Sequence, residues 1–285
     1  MLLGILLLLS IPFYYLFYTN KNIRTKRKIT INPDYNSNAN NDPEQLIKNR
    51  YSHSKVPKDI DTIIIGSGIG GLSTASLLAQ SGKKVVVLEQ HYLAGGCTHS
   101  FVDKGTEHET GIHYVGSMNK YKPLFDLIGE DKIEWCQLGH ENPDKFIYDE
   151  IVVDGEHYQF PAGKYNLINY LIEKFPEDKY GIREYFSLVE MAAKKNLFFN
   201  LKTAPYFLSV LYYYFNEIFG NTYNSFNNCT AEYIVNRYIK NPRLRKVLLG
   251  QFPDYGMLPQ DASFFIHASI VNHYLEGGFY PKGGP

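Results

Sequence analysis

The sequence predicts an α/β protein in which a β-α-β unit is followed by a small β section and a helical domain. Three features of the 285-residue chain lead to this prediction. A glycine-rich turn joins an apolar run to a helical pattern in residues 62–88, apolar residues alternate in 146–160, and helical spacing dominates after Pro161. Because 29 basic residues balance 29 acidic ones, no net positive charge points to a nucleic acid partner.

Residues 1–20 are predicted to be a membrane anchor or a signal segment. No charged side chain occurs before Lys21, and a helix over residues 1–18 would be about 27 Å long, close to the thickness of a bilayer core. Basic residues follow the apolar run, which favours an uncleaved anchor over a cleaved signal peptide. These basic residues would place the next domain on the cytosolic side of the membrane. The glycosylation pattern at Asn228 would matter only if that domain lay in a lumen, so the topology stays open.

Residues 21–58 are predicted to be a flexible linker, because Asn, Pro, Ser and charged residues dominate there without an apolar period. The chain changes character at Asp59, where the first domain, residues 59–163, is predicted to begin. Residues 62–65 form a short apolar run that suits a buried parallel strand. A helical pattern follows, Gly82 stands where that helix would end, and residues 85–88 supply a second apolar strand.

The turn between this first strand and helix carries three glycines in the spacing G-x-G-x-x-G. Gly66 permits the tight turn, Gly68 lets backbone N–H groups approach a diphosphate, and Gly71 lets the helix pack closely on the strand. The N-terminus of the helix then faces the phosphates with its positive end. Glu89, at the end of the second strand, is predicted to accept hydrogen bonds from ribose hydroxyls.

The β section and the second domain follow. An alternating pattern breaks at Asp154-Gly155, which is typical of a hairpin turn. Residues 164–285 are predicted to be a mainly helical domain that faces the substrate or the membrane. One of its helices, 206–219, suits either the membrane interface or an ordinary core position, and the core position is favoured. The predicted helices are 165–175, 182–199, 206–219, 231–239 and 262–275, the last capped by Asp261.

The residues after Glu89 decide between a nicotinamide and a flavin. A second glycine pair, Gly95-Gly96, would let another stretch of backbone approach the dinucleotide. These glycines and the Glu-Thr-Gly-Ile-His sequence at 109–113 resemble the superfamily of flavin-containing amine oxidases and phytoene desaturases. "LEQHYLAGGCTHSF", "TGIHYVG" and "VNHYLEGGFYPKGG" are most similar to its retinol-reducing branch, and the resemblance covers roughly residues 59–284.

This resemblance implies a Rossmann-like FAD-binding domain of the glutathione reductase type, in an enzyme of the endoplasmic reticulum membrane. The implied reaction is the reduction of one double bond of a conjugated isoprenoid, such as all-trans-retinol to 13,14-dihydroretinol. Retinoids, carotenoids and other polyprenyl compounds are the implied substrates. The predicted cofactor-binding residues are Gly66, Ser67, Gly68, Gly70, Gly71, Glu89, Gly95 and Gly96.

The chain departs from the superfamily pattern in two places. Many relatives have Arg or Lys directly after the glycine pair, whereas this chain has Cys97. The retinol-reducing branch also tends to have Cys at this position. Superfamily members are also longer and carry a closing flavin motif near their C-terminus. We therefore expect these residues to be the N-terminal portion of an enzyme, and whether they alone retain FAD or catalyse a reaction stays open.

Reduction of a double bond also needs a proton and a source of electrons. His113 is the predicted catalytic acid or flavin contact, because the resemblance places its glycine turn near the flavin; a purely structural histidine is the more ordinary alternative. Tyr114 is the second candidate donor. NAD(P)H or an electron-donor protein would supply the electrons. These residues contain no second G-x-G-x-x-G pattern, so they do not support a separate NADPH site. No metal site is predicted, since His267 and His273 would lie nearly opposite on one helix.

Two other functions stay open. A carotenoid desaturase or isomerase would use the same kind of pocket, and the sequence does not determine the direction of the redox reaction. A non-catalytic prenyl-lipid binder, like the Rab escort and GDP-dissociation-inhibitor proteins, would share the architecture. Those proteins have lost the intact glycine pattern, which this chain keeps.

Overall fold

The computed structural model describes residues 51–111, 114–130, 132–139, 146–194, 205–208, 210–211, 214 and 226–284. The chain forms two compact units, which divide between Ala94 and Gly95. The predicted anchor (1–20) and most of the predicted linker (21–58) lie outside the described residues. The division falls earlier than the predicted boundary after residue 163, because the β section packs with the helices that follow it.

The first unit contains the β-α-β pattern in the predicted order. β1 (Thr62–Ile65) pairs in parallel with β2 (Val85–Leu88), and α1 (Ile69–Gln80) connects them. After α1, Gly82 has a φ of +88°, a left-handed conformation that glycine adopts without strain. The backbone N–H of Gly82 donates to the carbonyl of Ala79, which closes the end of the helix.

The first strand is less buried than predicted. Within the described residues, Ile63 and Ile65 are 58% and 88% exposed. A two-stranded sheet with a single helix can be covered on only one face, so the alternate side chains of β1 remain open to solvent. The strand and its parallel pairing are confirmed, whereas its complete burial is not.

The strands described in the second unit all pair in antiparallel fashion: β3 (Ser100–Asp103) with β4 (Thr106–Glu109), β5 (Trp135–Gln137) with β8 (Phe279–Pro281), and β6 (Ile147–Val153) with β7 (Glu156–Pro161). The turn between β6 and β7 is the one predicted at Asp154-Gly155. Both residues have positive φ, +53° and +81°, as a two-residue type I′ turn requires.

The helices described in the second unit include most of the predicted ones. They are α2 (Met118–Ile128), α3 (Lys164–Lys174), α4 (Lys179–Lys194), α5 (Ala231–Tyr238), α6 (Pro242–Leu249) and α7 (Phe264–Tyr274). The predictions for α3, α5 and α7 are confirmed within two residues. The sequence analysis did not predict α2 or α6, although Asn241 before Pro242 is a typical start of a helix.

The predicted cap of α7 is wrong. The helix begins after Ser263, whose hydroxyl accepts a hydrogen bond from the backbone N–H of Ile266 at 3.3 Å. Asp261 lies two residues too early for this role, because an N-cap side chain bonds to the second or third N–H of its helix.

The core of the second unit lies where α4 and α7 pack against each other, with α3, α5 and the β6–β7 hairpin around them. Its fully buried side chains include Leu171, Ile182, Val189, Val235 and Phe264. By contrast, the described residues of the predicted helix 206–219 include four exposed apolar side chains: Tyr206, Phe207, Leu211 and Tyr214. The core position predicted for that helix is therefore wrong for these residues. None of the helices in the described ranges has the length and apolar character needed to cross a bilayer.

Candidate functional site

The turn between β1 and α1 holds the first group of predicted site residues. Gly66 has a φ of +95°, which L side chains rarely adopt, and its N–H donates to the carbonyl of Leu88 at 2.7 Å. A Cβ atom on Gly71 would overlap the carbonyl oxygen of Gly66. The absence of side chains at these two glycines therefore allows α1 to begin directly against the turn.

The N-terminus of α1 has space for an anionic ligand and backbone N–H groups that could bind it. A Cβ atom on Gly68 or Gly70 would meet no atom within 4 Å. No side chain caps the helix, and its first turn contains no acidic residue. The first N–H groups of a helix have no acceptor within the helix, so these amides and the positive end of the helix dipole suit a diphosphate.

Glu89 lies against this turn. Its Oε2 accepts hydrogen bonds from the backbone N–H and the hydroxyl of Ser67, at 2.7 and 2.6 Å, and its Oε1 accepts one from the N–H of His91 at 2.8 Å. These bonds, the Ser67 hydroxyl first, lower the pKa of Glu89 to about 2. The parallel pairing of β1 and β2 explains the contact, because Ser67 and Glu89 both follow the carboxyl ends of neighbouring strands.

This first group fits a dinucleotide. The open amides of α1 match the diphosphate, and an ionised carboxylate beside the turn matches the ribose hydroxyls. Ser67 adds a buried hydroxyl that holds the carboxylate in place, and it is only 2% exposed. The structure therefore brings Gly66, Ser67, Gly68, Gly70, Gly71 and Glu89 together around one helix N-terminus.

Gly95 and Gly96 belong to the second unit. Both have positive φ, +118° and +59°, and Gly96 opens a short 3₁₀ turn over Gly96–Thr98. The Thr98 hydroxyl donates to the carbonyl of Gly95 at 2.7 Å. Their contact with a dinucleotide stays a prediction.

The second group of site residues surrounds Tyr114. Val115 and Phe279 exchange two backbone hydrogen bonds of 2.8 and 2.9 Å. The N–H of Gly116 donates to Nε2 of His273 at 2.9 Å, across 157 positions of sequence. The stretches "TGIHYVG" and "VNHYLEGGFYPKGG", which both carry the resemblance described above, therefore contact each other directly.

Tyr114 itself is half-buried in this contact. Its ring lies 4.8 Å from the ring of Tyr274, centroid to centroid. A Cβ atom on Gly278 would lie 2.7 Å from the Tyr114 ring, so the glycine gives that ring its space. Burial, and then the negative charges of Asp254 and Asp149, raise the pKa of Tyr114 well above its usual value. The phenol is therefore held in its protonated form.

His113, the predicted catalytic residue, lies outside the described residues together with Ile112. Its role stays a prediction. The two histidines of α7 have separate surroundings. His267 is fully buried between the hydroxyls of Tyr185 and Tyr255, at 2.7 Å from Nε2 and 3.2 Å from Nδ1, and burial lowers its pKa to about 4. Among the residues that the structure describes, no three His, Cys, Asp or Glu side chains are grouped as metal ligands.

An open cleft of about 360 Å³ lies beside the second group. It combines apolar and polar side chains, and Phe279 connects it to Val115, the residue after Tyr114. The cleft is lined by Met118, Asn119, Gln137, Phe146, Ala162, Gly163, Glu276 and Phe279.

The sequence analysis missed the role of His273 and the pairing of β8. It considered His273 only as a metal ligand, although this residue lies in one of the stretches that resemble the superfamily. The resemblance of this stretch to the superfamily was therefore the one signal that could have indicated a role for His273. The partner of each stretch depended on packing between distant parts of the chain.

Comparisons with known proteins show which sequences and folds this chain is similar to. Residues 64–130 match a family model described as an NAD(P)-binding Rossmann-like domain. All-trans-retinol 13,14-reductase of Danio rerio is 37% identical over 251 residues, which cover 84% of this chain and 40% of the relative. A second Danio rerio protein, named inactive all-trans-retinol 13,14-reductase, is 30% identical over 85% of this chain and 40% of that protein.

More distant relatives extend the picture. The 15-cis-phytoene desaturase of Narcissus pseudonarcissus is 34% identical over 94 residues, which cover 32% of this chain and 16% of that protein. The structure of cyclohexylamine oxidase from Brevibacterium oxydans IH-35A shares the fold, with a TM-score of 0.50 and 19% identity, over 79% of this chain and 47% of that one. The chain spans about two fifths of the length of the retinol reductases it matches. With a Rossmann-like glycine turn and this degree of identity, the chain belongs to the family of the all-trans-retinol 13,14-reductases, within the superfamily that includes the phytoene desaturases.

Proposed function

We propose that the protein is an FAD-dependent oxidoreductase that reduces one carbon–carbon double bond of a conjugated isoprenoid, with all-trans-retinol as the first substrate to test. The observation that carries the proposal is the Gly66–Gly71 turn, with its open helix N-terminus and the ionised Glu89 beside it. The 37% identity to a retinol 13,14-reductase supports the choice of substrate.

The cofactor is proposed to be FAD, bound by a domain of the glutathione reductase type. The amides at Gly68 and Gly70 would hold the diphosphate, and Glu89 would hold the ribose. Gly95-Gly96, with positive φ at both positions, would bring a second backbone segment to the flavin. Electrons would reach the flavin from NAD(P)H or from a donor protein.

The chemistry divides between cofactor and chain. Bound FAD supplies the hydride that a carbon–carbon double bond accepts. The chain must supply a dry, oriented pocket and one proton. Tyr114, the second donor that the sequence predicts, is the candidate among the described residues, and burial and nearby carboxylates keep its phenol protonated even in alkaline medium. His113 remains the alternative that the sequence predicts.

The protein is further proposed to act at the endoplasmic reticulum membrane. The uncharged run over residues 1–20 supports this, and so do the exposed Tyr206 and Phe207, which are residue types favoured at the membrane interface. If this proposal is correct, the protein will sediment with microsomal membranes, resist extraction by high salt and dissolve in mild detergent. Release by salt alone would show that the membrane proposal is wrong.

The function can be tested by anaerobic photoreduction of the full-length protein, followed by addition of all-trans-retinol. We expect a yellow protein whose reduced flavin is reoxidised on mixing, with formation of a dihydro product. If the flavin is reduced but only a carotenoid reoxidises it, the substrate is a carotenoid and the retinol assignment is wrong.

The second candidate function is non-catalytic binding of a lipid. The observation that favours it is the similarity to a relative named inactive all-trans-retinol 13,14-reductase. A colourless protein that takes up no FAD but binds a prenyl lipid would establish this function and reject the enzyme. The glycine turn argues against it, because Gly68 and Gly70 leave open the space that a diphosphate needs.

A further inference from the structure

The segment that follows Tyr114, Val115–Ser117, forms two hydrogen bonds with one residue of α7, His273. The N–H of Gly116 donates to Nε2 of His273 at 2.9 Å, and the hydroxyl of Ser117 donates to the carbonyl oxygen of His273 at 3.1 Å. His273 therefore holds two successive residues, one through its ring and one through its backbone.

The same segment has a further backbone contact and has no room to shift toward α7. A Cβ atom on Gly116 would overlap the carbonyl oxygen of His273. Val115 is paired with Phe279, which follows α7 in the chain. Because Tyr114 directly precedes these residues, its ring position against Tyr274 depends on the same contacts.

The contact requires one protonation state of His273. A backbone N–H can only donate, so Nε2 must carry a lone pair and the ring must be neutral, with its proton on Nδ1. In the imidazolium form both nitrogens are donors. Protonation would thus place two donors against each other and break the hydrogen bond to Gly116.

The surroundings of His273 favour the neutral ring. Partial burial, and then the positive charge of Lys120 on α2, lower the pKa of His273 below its usual value. The other side chains that face it are Tyr121 of α2, with ring centroids 5.9 Å apart, Tyr274 at 4.7 Å, and Ser117. No carboxylate contributes to its titration among the described residues, so no anionic partner there stabilises the charged ring.

We propose that His273 is the positioning residue of the candidate site: as a neutral hydrogen-bond acceptor it holds Val115–Ser117, and thereby places Tyr114 for the reaction. The placing of Val115–Ser117 follows from the contacts above. Its importance for turnover rests on the proposed function. The prediction that distinguishes this role from ordinary core packing is that an uncharged acceptor of the right length can replace the histidine.

The substitution His273→Gln provides that acceptor. Its amide oxygen stands about as far from Cα as Nε2 does, and it does not titrate near neutral pH. His273→Leu keeps apolar bulk but removes the acceptor. The control is His157→Gln on the exposed hairpin strand β7, where the ring contacts Glu150 at 2.7 Å, far in sequence from the site.

The first measurement is amide hydrogen exchange of the full-length protein at several pH values, corrected for intrinsic exchange and followed in a peptide that contains Val115–Ser117. Wild-type protection should fall by about ten-fold as the medium is acidified through the titration of His273, the size expected for a backbone donor that loses its acceptor. In His273→Gln the amides of Val115–Ser117 should stay protected, with no fall in protection in acid. In His273→Leu they should be unprotected at every pH, and His157→Gln should match the wild type.

The second measurement is turnover with FAD and retinoid over the same pH range. His273→Gln should retain most of the wild-type kcat at neutral pH and lose the acidic limb of the profile, while His273→Leu should lower kcat more than it raises KM. If His273→Gln and the wild type show the same acid step in exchange, the proposal is wrong. This holds even if His273→Leu fails to fold.

The two measurements separate the two proposals. A protein that shows the predicted exchange pattern but no turnover keeps the positioning role and rejects the proposed function. An active protein in which His273→Leu leaves the protection of Val115–Ser117 and the kcat unchanged keeps the function and rejects the positioning role.

Discussion

The carboxylate of Glu89 accepts hydrogen bonds from both the backbone N–H and the hydroxyl of Ser67, at 2.7 and 2.6 Å. This relationship joins the ends of two parallel strands and places a negative charge at the glycine turn. A ribose hydroxyl bound there would meet an acceptor that is already oriented. The first two predictions below follow from this geometry.

The glycines of the turn should differ in what their substitution affects. Gly68→Ala places its Cβ in open space, so it should change the free energy of unfolding by less than about 1 kcal/mol while weakening FAD binding by about ten-fold or more. Gly71→Ala drives its Cβ into the carbonyl oxygen of Gly66 and should destabilise the first unit by about 1–3 kcal/mol. Urea unfolding and a flavin titration measure the two effects. Equal FAD affinity in the wild type and in Gly68→Ala would show that the glycine turn does not bind FAD.

Glu89→Gln should weaken FAD binding by about ten-fold or more, because a charged acceptor becomes a neutral one. In the wild type, the pKa of Glu89 is lowered to about 2 from 4.5. The stabilising charge is therefore complete above pH 4.5 and is lost only as the pH falls towards 2. Affinity measured between pH 5 and 8 should show no titration of this group. Glu134→Gln, which removes an exposed partner of Lys282, is the control and should bind FAD normally.

Tyr114→Phe should lower turnover by about 100-fold while FAD retention stays unchanged, if the phenol donates the proton. The raised pKa of Tyr114 means that this phenol should cause no alkaline loss of activity near pH 10, where an ordinary tyrosine titrates. Steady-state kinetics of both proteins over a wide pH range provide the measurement. Wild-type turnover in Tyr114→Phe would leave the proton donation to another residue, with His113 as the next to substitute.

The buried His267 should make the second unit sensitive to acid. The unfolded chain binds a proton at this residue below about pH 6.5, whereas in the folded protein the pKa of His267 is lowered to about 4. The stability is thus complete above pH 6.5 and falls as the pH drops from 6.5 towards 4, by about 3 kcal/mol in total. Urea unfolding at pH 7 and 4.5 should show most of this loss in the wild type.

The matched variants for this prediction are His267→Phe and His157→Gln. His267→Phe removes the contacts to Tyr185 and Tyr255 and should lower stability at pH 7, yet flatten its pH dependence. His157→Gln replaces an exposed ring and is the control for replacing a histidine outside the core. An unaltered acid loss in His267→Phe would mean that another group causes it.

Features that depend on neighbours in sequence were predictable. The glycine turn, the helix after it and the hairpin at Asp154-Gly155 each follow from residues whose backbone conformations are restricted by their own chemistry. The errors at Asp261 and in the burial of β1 have different causes. Two polar residues competed for the cap of α7, and the sequence pattern could not show how much of the sheet would be covered.

The sequence by itself determined the identities at the first group: a turn that only glycines allow at Gly66 and Gly71, and an acid at the end of the next strand. Only the tertiary structure decided that Ser67 holds that acid and that His273 holds the segment after Tyr114. The physical reason is range. Local sterics act between residues a few positions apart, whereas the contact between Gly116 and His273 spans 157 positions and exists only once α7 has packed in the core.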